Sequence, residues 1–434
     1  MLPTSVQRNI ASFGLNDVSV FKQQMLGWAN QFNICCFFDN HYYTQQYNTY
    51  ECLLGAGAQT IFAPTNNIFC NLQQLCVNNK DWLFGHVNYN LNIETGSQPP
   101  IKTDKLQFPD IFLFQPSVVI EVNGSKATIS SLTSSPEKIF KQICTYPIAA
   151  KPAITGGVTV NPVIVKEEYI RTIQQIQAHI RRGDCYELNF CQEFFADNAL
   201  IDPYSVYNEL TKLSPTPFSC YYKLQDKYLL CASPERYIKK MGDVIISQPI
   251  KGTAKRNMEN LAEDGKLRQA LQHSIKERSE NVMIVDLVRN DLSKICREGT
   301  VIVEELFGVY PFPQVHQMIS TVKGVLNNGI DFAEVLRATF PMGSMTGAPK
   351  KRVIELIGQF ETSNRGIFSG ATGYITPAGD FDFNVVIRSI MYNAHTRYLN
   401  YIVGGAITHY SNPENEYEEC LLKAAAMEKV LKTQ

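Results

Sequence analysis

Lys251 stands in Gln248-Pro249-Ile250-Lys251-Gly252-Thr253, directly after a β-branched run at 243–247. That run reads as a strand, and 252–256 reads as the loop into which it opens. A lysine at a strand end has rigid support on one side and open space on the other. In a site closed to water the ammonium is disfavoured and the neutral amine becomes a nucleophile; in an open one it is a solvated loop lysine. Two glutamate pairs suggest a second chemistry. Glu277 and Glu280 are three residues apart in a helical pattern, and Glu416 and Glu419 repeat that spacing near the C-terminus. Each pair shares a helix face. Brought together, the two faces suit a hard cation, since Mg²⁺ takes one or two carboxylates and keeps several waters; taken singly, each reads as solvated surface.

Further groups have two readings each. His316 follows Pro311 and Pro313 and is an acid–base candidate or a structural histidine. The small residues from Gly343 to Ala348, with the hydroxyls of Ser344 and Thr346, run into a helix and offer donors to an anion or form a plain capped loop. Arg388 reads as a strand residue sharing a face with Asn384 and Val386. It needs an anionic partner, either a substrate carboxylate or an internal acid. Gly404-Gly405-Ala406 interrupts a strand pattern, which marks a close approach to the backbone.

The elements that position these residues fall into two parts. Residues 1–160 read as β-rich, with apolar runs at 34–38, 60–63, 83–87, 111–114 and 118–122 and a turn at 123–125. A Pro- and Gly-containing connector at 149–162 leads to the second part. There, Tyr169, Ile173, Ile176 and Ile180 predict a helix over 166–182. A strand at 185–195, a helix at 203–213, strands at 218–223 and 228–232 and a hairpin at 237–248 follow. Then come a mainly helical stretch at 259–295, helices at 334–337 and 350–360, strands at 373–376, 381–392 and 398–407, and a last helix at 414–432. Helices and strands come in groups rather than in βαβ alternation, so the class is α+β. No nucleotide-binding glycine motif occurs.

The chain of 434 residues allows two domains or one large one. Its net charge of −1 carries no footprint for nucleic acid or an anionic membrane. The twelve cysteines are scattered and read as free thiols of an intracellular protein. Neither a signal peptide nor a membrane span is predicted, so a cytoplasmic setting is expected.

Eight stretches together resemble the chorismate-utilising enzymes. They are SPERY from Ser233, PIKGTAKR from Pro249, ERSENVMIVDLVRNDL from Glu277, Val315-His316, PMGSMTGAPKKRVIELI from Pro341, RGIFSGATGYI from Arg365, NVVIRS from Asn384 and NPENEYEECLLKA from Asn412. They run in family order over about residues 165–430, and each is weak alone but specific in register. The resemblance implies a large antiparallel two-sheet sandwich with helices outside. In it, 161–434 form the chorismate-binding catalytic domain, and the weakly matched 1–160 pack into the same fold. It implies Mg²⁺ on Glu280 and Glu419, with Glu277 and Glu416 in or near the next shell. It places Arg388, Ser344, Thr346, Gly404, Lys423 and Phe368 at the substrate. Lysine before Gly-Thr marks the aminodeoxychorismate synthase component I branch, whereas the anthranilate synthase branch usually has alanine. In the lysine branch Lys251 is implied to attack the ring at C2 as the C4 hydroxyl leaves. Glu235 would supply that hydroxyl's proton, and His316 would assist. Glu187 stands where this subgroup usually has glutamine and is a possible proton acceptor. No amidotransferase region is recognised, so a separate glutamine amidotransferase subunit would supply ammonia. The alternatives are anthranilate synthase component I and a non-catalytic chorismate sensor, and the second would need no nucleophile.

Overall fold

The computed structural model describes residues 7–44, 46–91, 102–148 and 157–433. Among them, twenty strands hydrogen-bond into one antiparallel network folded back on itself as two layers. Neighbour by neighbour, the first layer runs Asn9–Gly14, Lys126–Ser131, Ile111–Asn123, Cys52–Phe62, Ile34–Asp39 and Phe218–Leu224. It continues through Lys227–Ser233, Ser389–Asn393 and Tyr398–Ile407 to Glu187–Ala196. The second runs Leu83–Val87, Ala371–Ile375, Phe381–Val385, Arg236–Met241, Val244–Gln248 and Val315–Val325. Strand Ile111–Asn123 joins the layers, because its first residues also pair with Leu83–Val87.

Alternation of side chains along the strands generates two cores. In Ile34–Asp39, Ile34 and Cys36 face the interior between the layers. Cys35 and Phe37 face the helices outside. The middle of the first layer is therefore buried on both faces, which is why strands such as Ile34–Asp39 read as continuous apolar runs. Helices Val18–Ala29, Pro136–Cys144, Lys166–Arg181, Pro203–Leu213, Lys350–Phe360 and Pro413–Lys432 cover its outer face through residues such as Met25, Ile143, Ile173, Leu210, Leu356 and Met427. None of the helices among the described residues is long and apolar enough to cross a membrane.

The α+β sandwich agrees with the sequence reading, and the differences are local. Among its described residues the first part carries three helices as well as strands, Val18–Ala29, Ile68–Asn78 and Pro136–Cys144. Ile68–Asn78 buries only Leu72, too little to leave a helical stripe in the sequence. The runs at 111–114 and 118–122 are one strand, with Pro116 accommodated at a register shift opposite Ala58. The segment 252–256 is no loop, because Ile250–Lys255 is a strand on Val315–Val325. The helical stretch divides at Ser274 into Leu261–His273 and Ile275–Ser293, and Ser274 Oγ caps the second by accepting from Glu277 N. Residues 149–156 of the expected connector lie outside the described residues, and Asn161–Pro162 pair with Glu187–Ala196.

Candidate active site

Lys251 is aimed by a bulge. Ile250 pairs with Ile319 and Thr253 with Gln317, so three steps on one strand match two on the other. Gly252 within it adopts φ +102°, and a Cβ there would lie 3.1 Å from Glu277 Oε2. Glycine meets both demands. Behind the bulge, Asn281 Nδ2 donates to the Lys251 carbonyl at 3.5 Å, and Ser320 Oγ donates to Asn281 Oδ1 at 2.6 Å. The side chain is buried, and Nζ donates to Glu187 Oε1 at 2.7 Å. Burial favours the neutral amine, as expected from sequence, but Glu187, Glu280 and Glu235 outweigh it and raise the pKa above the ordinary lysine value. The resting side chain is an ammonium, which corrects the expectation of an amine neutralised by burial alone.

Glu235 lies in the turn between Lys227–Ser233 and Arg236–Met241, where the chain passes from one layer to the other. Burial pushes its carboxyl up to about 7, offset in part by Ser344, the Ile250 backbone and Lys251. Facing it across one cavity are two helix faces. Ile275–Ser293 presents Glu277 and Glu280; Pro413–Lys432, capped by Asn412, presents Glu416, Glu419 and Lys423. Burial raises Glu277 and lifts Glu280 to about 7, while Lys423 holds Glu419 below the usual range. Lys423 Nζ lies 2.8 Å from Glu419 Oε1 and donates to the Gly404 carbonyl at 2.8 Å. Lys276 Nζ reaches between the pairs, 3.6 Å from Glu416 and 3.9 Å from Glu280.

The donor set fits a hard cation. Four carboxylates share one wall, and Glu280 Oε1 is buried with no hydrogen-bond partner among the described residues. Among the described residues, no three acidic, histidine or cysteine side chains converge as a ready-made centre.

The same cavity is lined by Ser344, Phe368, Gly404 and Arg388. The expected strand 381–392 breaks into Phe381–Val385 and Ser389–Asn393, and Arg388 has φ +52° between them. It is therefore not on the strand face of Asn384 and Val386; the break turns it into the cavity. Burial lowers its pKa, with Glu419 the one acid opposing this, and no carboxylate among the described residues lies within 4.0 Å of it. A ligand carboxylate fits this guanidinium better than an internal acid.

Two expected residues do not line the cavity. Thr346 is fully buried and its Oγ1 donates to the Met342 carbonyl at 3.1 Å, tightening the turn. His316 sits in Val315–Val325 one residue before Gln317, and successive strand residues point to opposite faces. Gln317 lines the cavity, while His316 Nε2 meets Asp264 Oδ1 at 3.0 Å on the far side. Gln317 Oε1 is buried with no hydrogen-bond partner among the described residues, a cavity-facing acceptor missed in the sequence because the strand was not recognised. Asn189, also in the wall, donates to the Ser344 carbonyl at 2.8 Å. Arg365 stands behind both, paired with Glu361 at 2.6 Å and donating to the Met345 and Asn189 carbonyls at 2.7 and 2.9 Å.

A sandwich of this topology, with a lysine, a protonatable glutamate and two acidic helix faces around one cavity, defines a class. Residues 35–429 match the model of the chorismate binding enzyme family, and the chain belongs to it. Aminodeoxychorismate synthase component 1 of Klebsiella aerogenes is 38% identical over 275 residues, 63% of this chain and 60% of the relative, so the chain spans less than two thirds of that protein's length. An anthranilate synthase component I-like protein of Synechocystis is 31% identical over 382 residues, 83% of this chain and 78% of the relative. The crystal structure of anthranilate synthase component I from Streptococcus pneumoniae superposes with a TM-score of 0.73 at 23% identity, covering 99% of this chain and 94% of that one, a likeness of fold.

Proposed function

We propose that the chain is the aminating component of an aminodeoxychorismate synthase, converting chorismate and ammonia to 4-amino-4-deoxychorismate through an adduct on Lys251. The observation that carries this reading is the buried Lys251 ammonium between Glu187 and the cavity that Glu235 lines. Anthranilate formation and simple binding need no such amine. Relatives named as aminodeoxychorismate synthase component 1 support the same reading.

The chemistry follows from the groups present. Hydroxide is a poor leaving group, and Glu235, raised to about 7, carries a proton for it near neutrality. Lys251 divides one difficult displacement into two easier ones. Arg388, with no carboxylate of the described residues within 4.0 Å, binds one carboxylate of the substrate. Glu280 and Glu419, flanked by Glu277 and Glu416, would hold Mg²⁺, which when bound supplies charge neutralisation for the other. Ammonia is proposed to come from a glutamine amidotransferase subunit.

Product identity tests the proposal. With chorismate, ammonium and Mg²⁺, the product should keep its enolpyruvyl group. Fluorescent anthranilate with release of pyruvate would replace this reading by anthranilate synthase, and absence of turnover would favour a binding module.

A further inference from the structure

We propose that Glu187 is a catalytic residue, the internal base that takes the Lys251 proton as the amine attacks and returns it when the amine leaves. This rests on the reading of Lys251 as nucleophile. Glu187 is fully buried and pairs with Lys251 Nζ at 2.7 Å. Its other oxygen, Oε2, is shielded from solvent and has no hydrogen-bond partner among the described residues. A buried carboxylate with a purely structural task would ordinarily have both oxygens satisfied.

The backbone of Glu187 is held in place. Ala348 pairs with it across a short ladder, and the adjacent Gly347 has φ +139° where a Cβ would lie 2.1 Å from the Glu187 carbonyl. Glu235 and Glu280 also face the amine from the interlayer turn and from helix Ile275–Ser293. Among the described residues, Glu187 is the carboxylate within 4.0 Å of Nζ. A proton leaving a buried ammonium passes to a group within hydrogen-bond reach.

The steps balance. A proton moves from Nζ to Glu187, the Nζ lone pair bonds to ring C2, both conjugated ring double bonds shift one position towards C4 and the C4–O bond breaks. The oxygen departs as water with the Glu235 proton. Ammonia then bonds to C4, both ring double bonds shift back and the C2–Nζ bond breaks. The freed amine recovers its proton from Glu187, and the new ammonium at C4 gives one to Glu235.

The test measures the rate of Lys251 adduct formation by mass spectrometry, with chorismate and Mg²⁺ but no ammonia, across the neutral pH range. Wild type passes the proton within the pair, whereas Glu187→Gln must lose it to solvent first. The variant-to-wild-type rate ratio should be reduced about 10²-fold near neutrality. It should recover about tenfold per pH unit. Both proteins keep Glu235 and Glu280; because the Glu187 charge helps to raise Glu280, the comparison with Glu187→Asp, which keeps that charge, separates the Glu280 effect from proton transfer. Glu187→Asp, which keeps the carboxylate, should retain the wild-type pH dependence. A ratio that does not change with pH would overturn the role of Glu187. Product formed by wild type without any adduct would overturn the nucleophile itself, a different failure.

Discussion

Burial pushes the pKa of Glu235 up and that of Lys251 down. It favours the neutral form of both, and only for Lys251 do neighbouring charges reverse the outcome. Replacing Lys251 by Ala should cut amination by about 10²-fold or more while chorismate still binds, measured by turnover beside calorimetric titration. Glu235→Gln should slow the reaction on the order of 10²–10⁴-fold. Its effect on stability has a definite sign. A carboxyl raised from 4.5 to about 7 in the folded state contributes stability below about pH 4.5 and loses it as pH rises through about 7. The Gln variant, free of that loss, should therefore gain on the order of 1–3 kcal/mol over wild type at pH 8 relative to pH 4, read by denaturant melts without metal. Glu280→Gln should shift the Mg²⁺ titration midpoint upward by about tenfold or more. An unmoved midpoint would remove Glu280 from the proposed ligands.

At the scale of elements, the bulge at Lys251 and Gly252 decides where the amine points. Gly252→Ala forces a Cβ into φ +102° against Glu277, at a cost of about 1–3 kcal/mol. Turnover should fall more than the melting temperature suggests, because the strand can survive with Lys251 re-aimed. The sequence was clear where an element carries its own signal. Pro203–Leu213 and Lys350–Phe360 form within the expected bounds, and both glutamate pairs do share faces. It was silent where a distant partner decides. Lys251 and Gly252 look like a loop until Val315–Val325 lies alongside, and missing that strand left the parity of His316 and Gln317 unread. The break at Arg388 hides in Asn384-Val385-Val386-Ile387-Arg388, which locally is a good strand.

Across the whole molecule, the motif-poor first part is structural to the site. Ile34–Asp39 lies between Cys52–Phe62 and Phe218–Leu224, and Leu83–Val87 carries Ala371–Ile375. Removing residues 1–160 would expose two interior strand edges and open the interlayer core. The remaining 161–434 should then lack a cooperative thermal transition by circular dichroism. A sharp transition with intact chorismate binding would mean that the second part folds alone. The first part left little signal because its inner strands, Ile34–Asp39, Leu83–Val87 and Ile111–Asn123, are buried almost throughout by residues far away in the chain, so they show composition without periodicity.

Intact-mass measurement of the wild-type protein with chorismate and Mg²⁺, in the absence of ammonia, tests the nucleophile most directly. The mass should rise by one chorismate less one water, mapped to Lys251 and discharged as product when ammonium is added. Amination that proceeds with Lys251 never modified, or at an undiminished rate in Lys251→Ala, would contradict it.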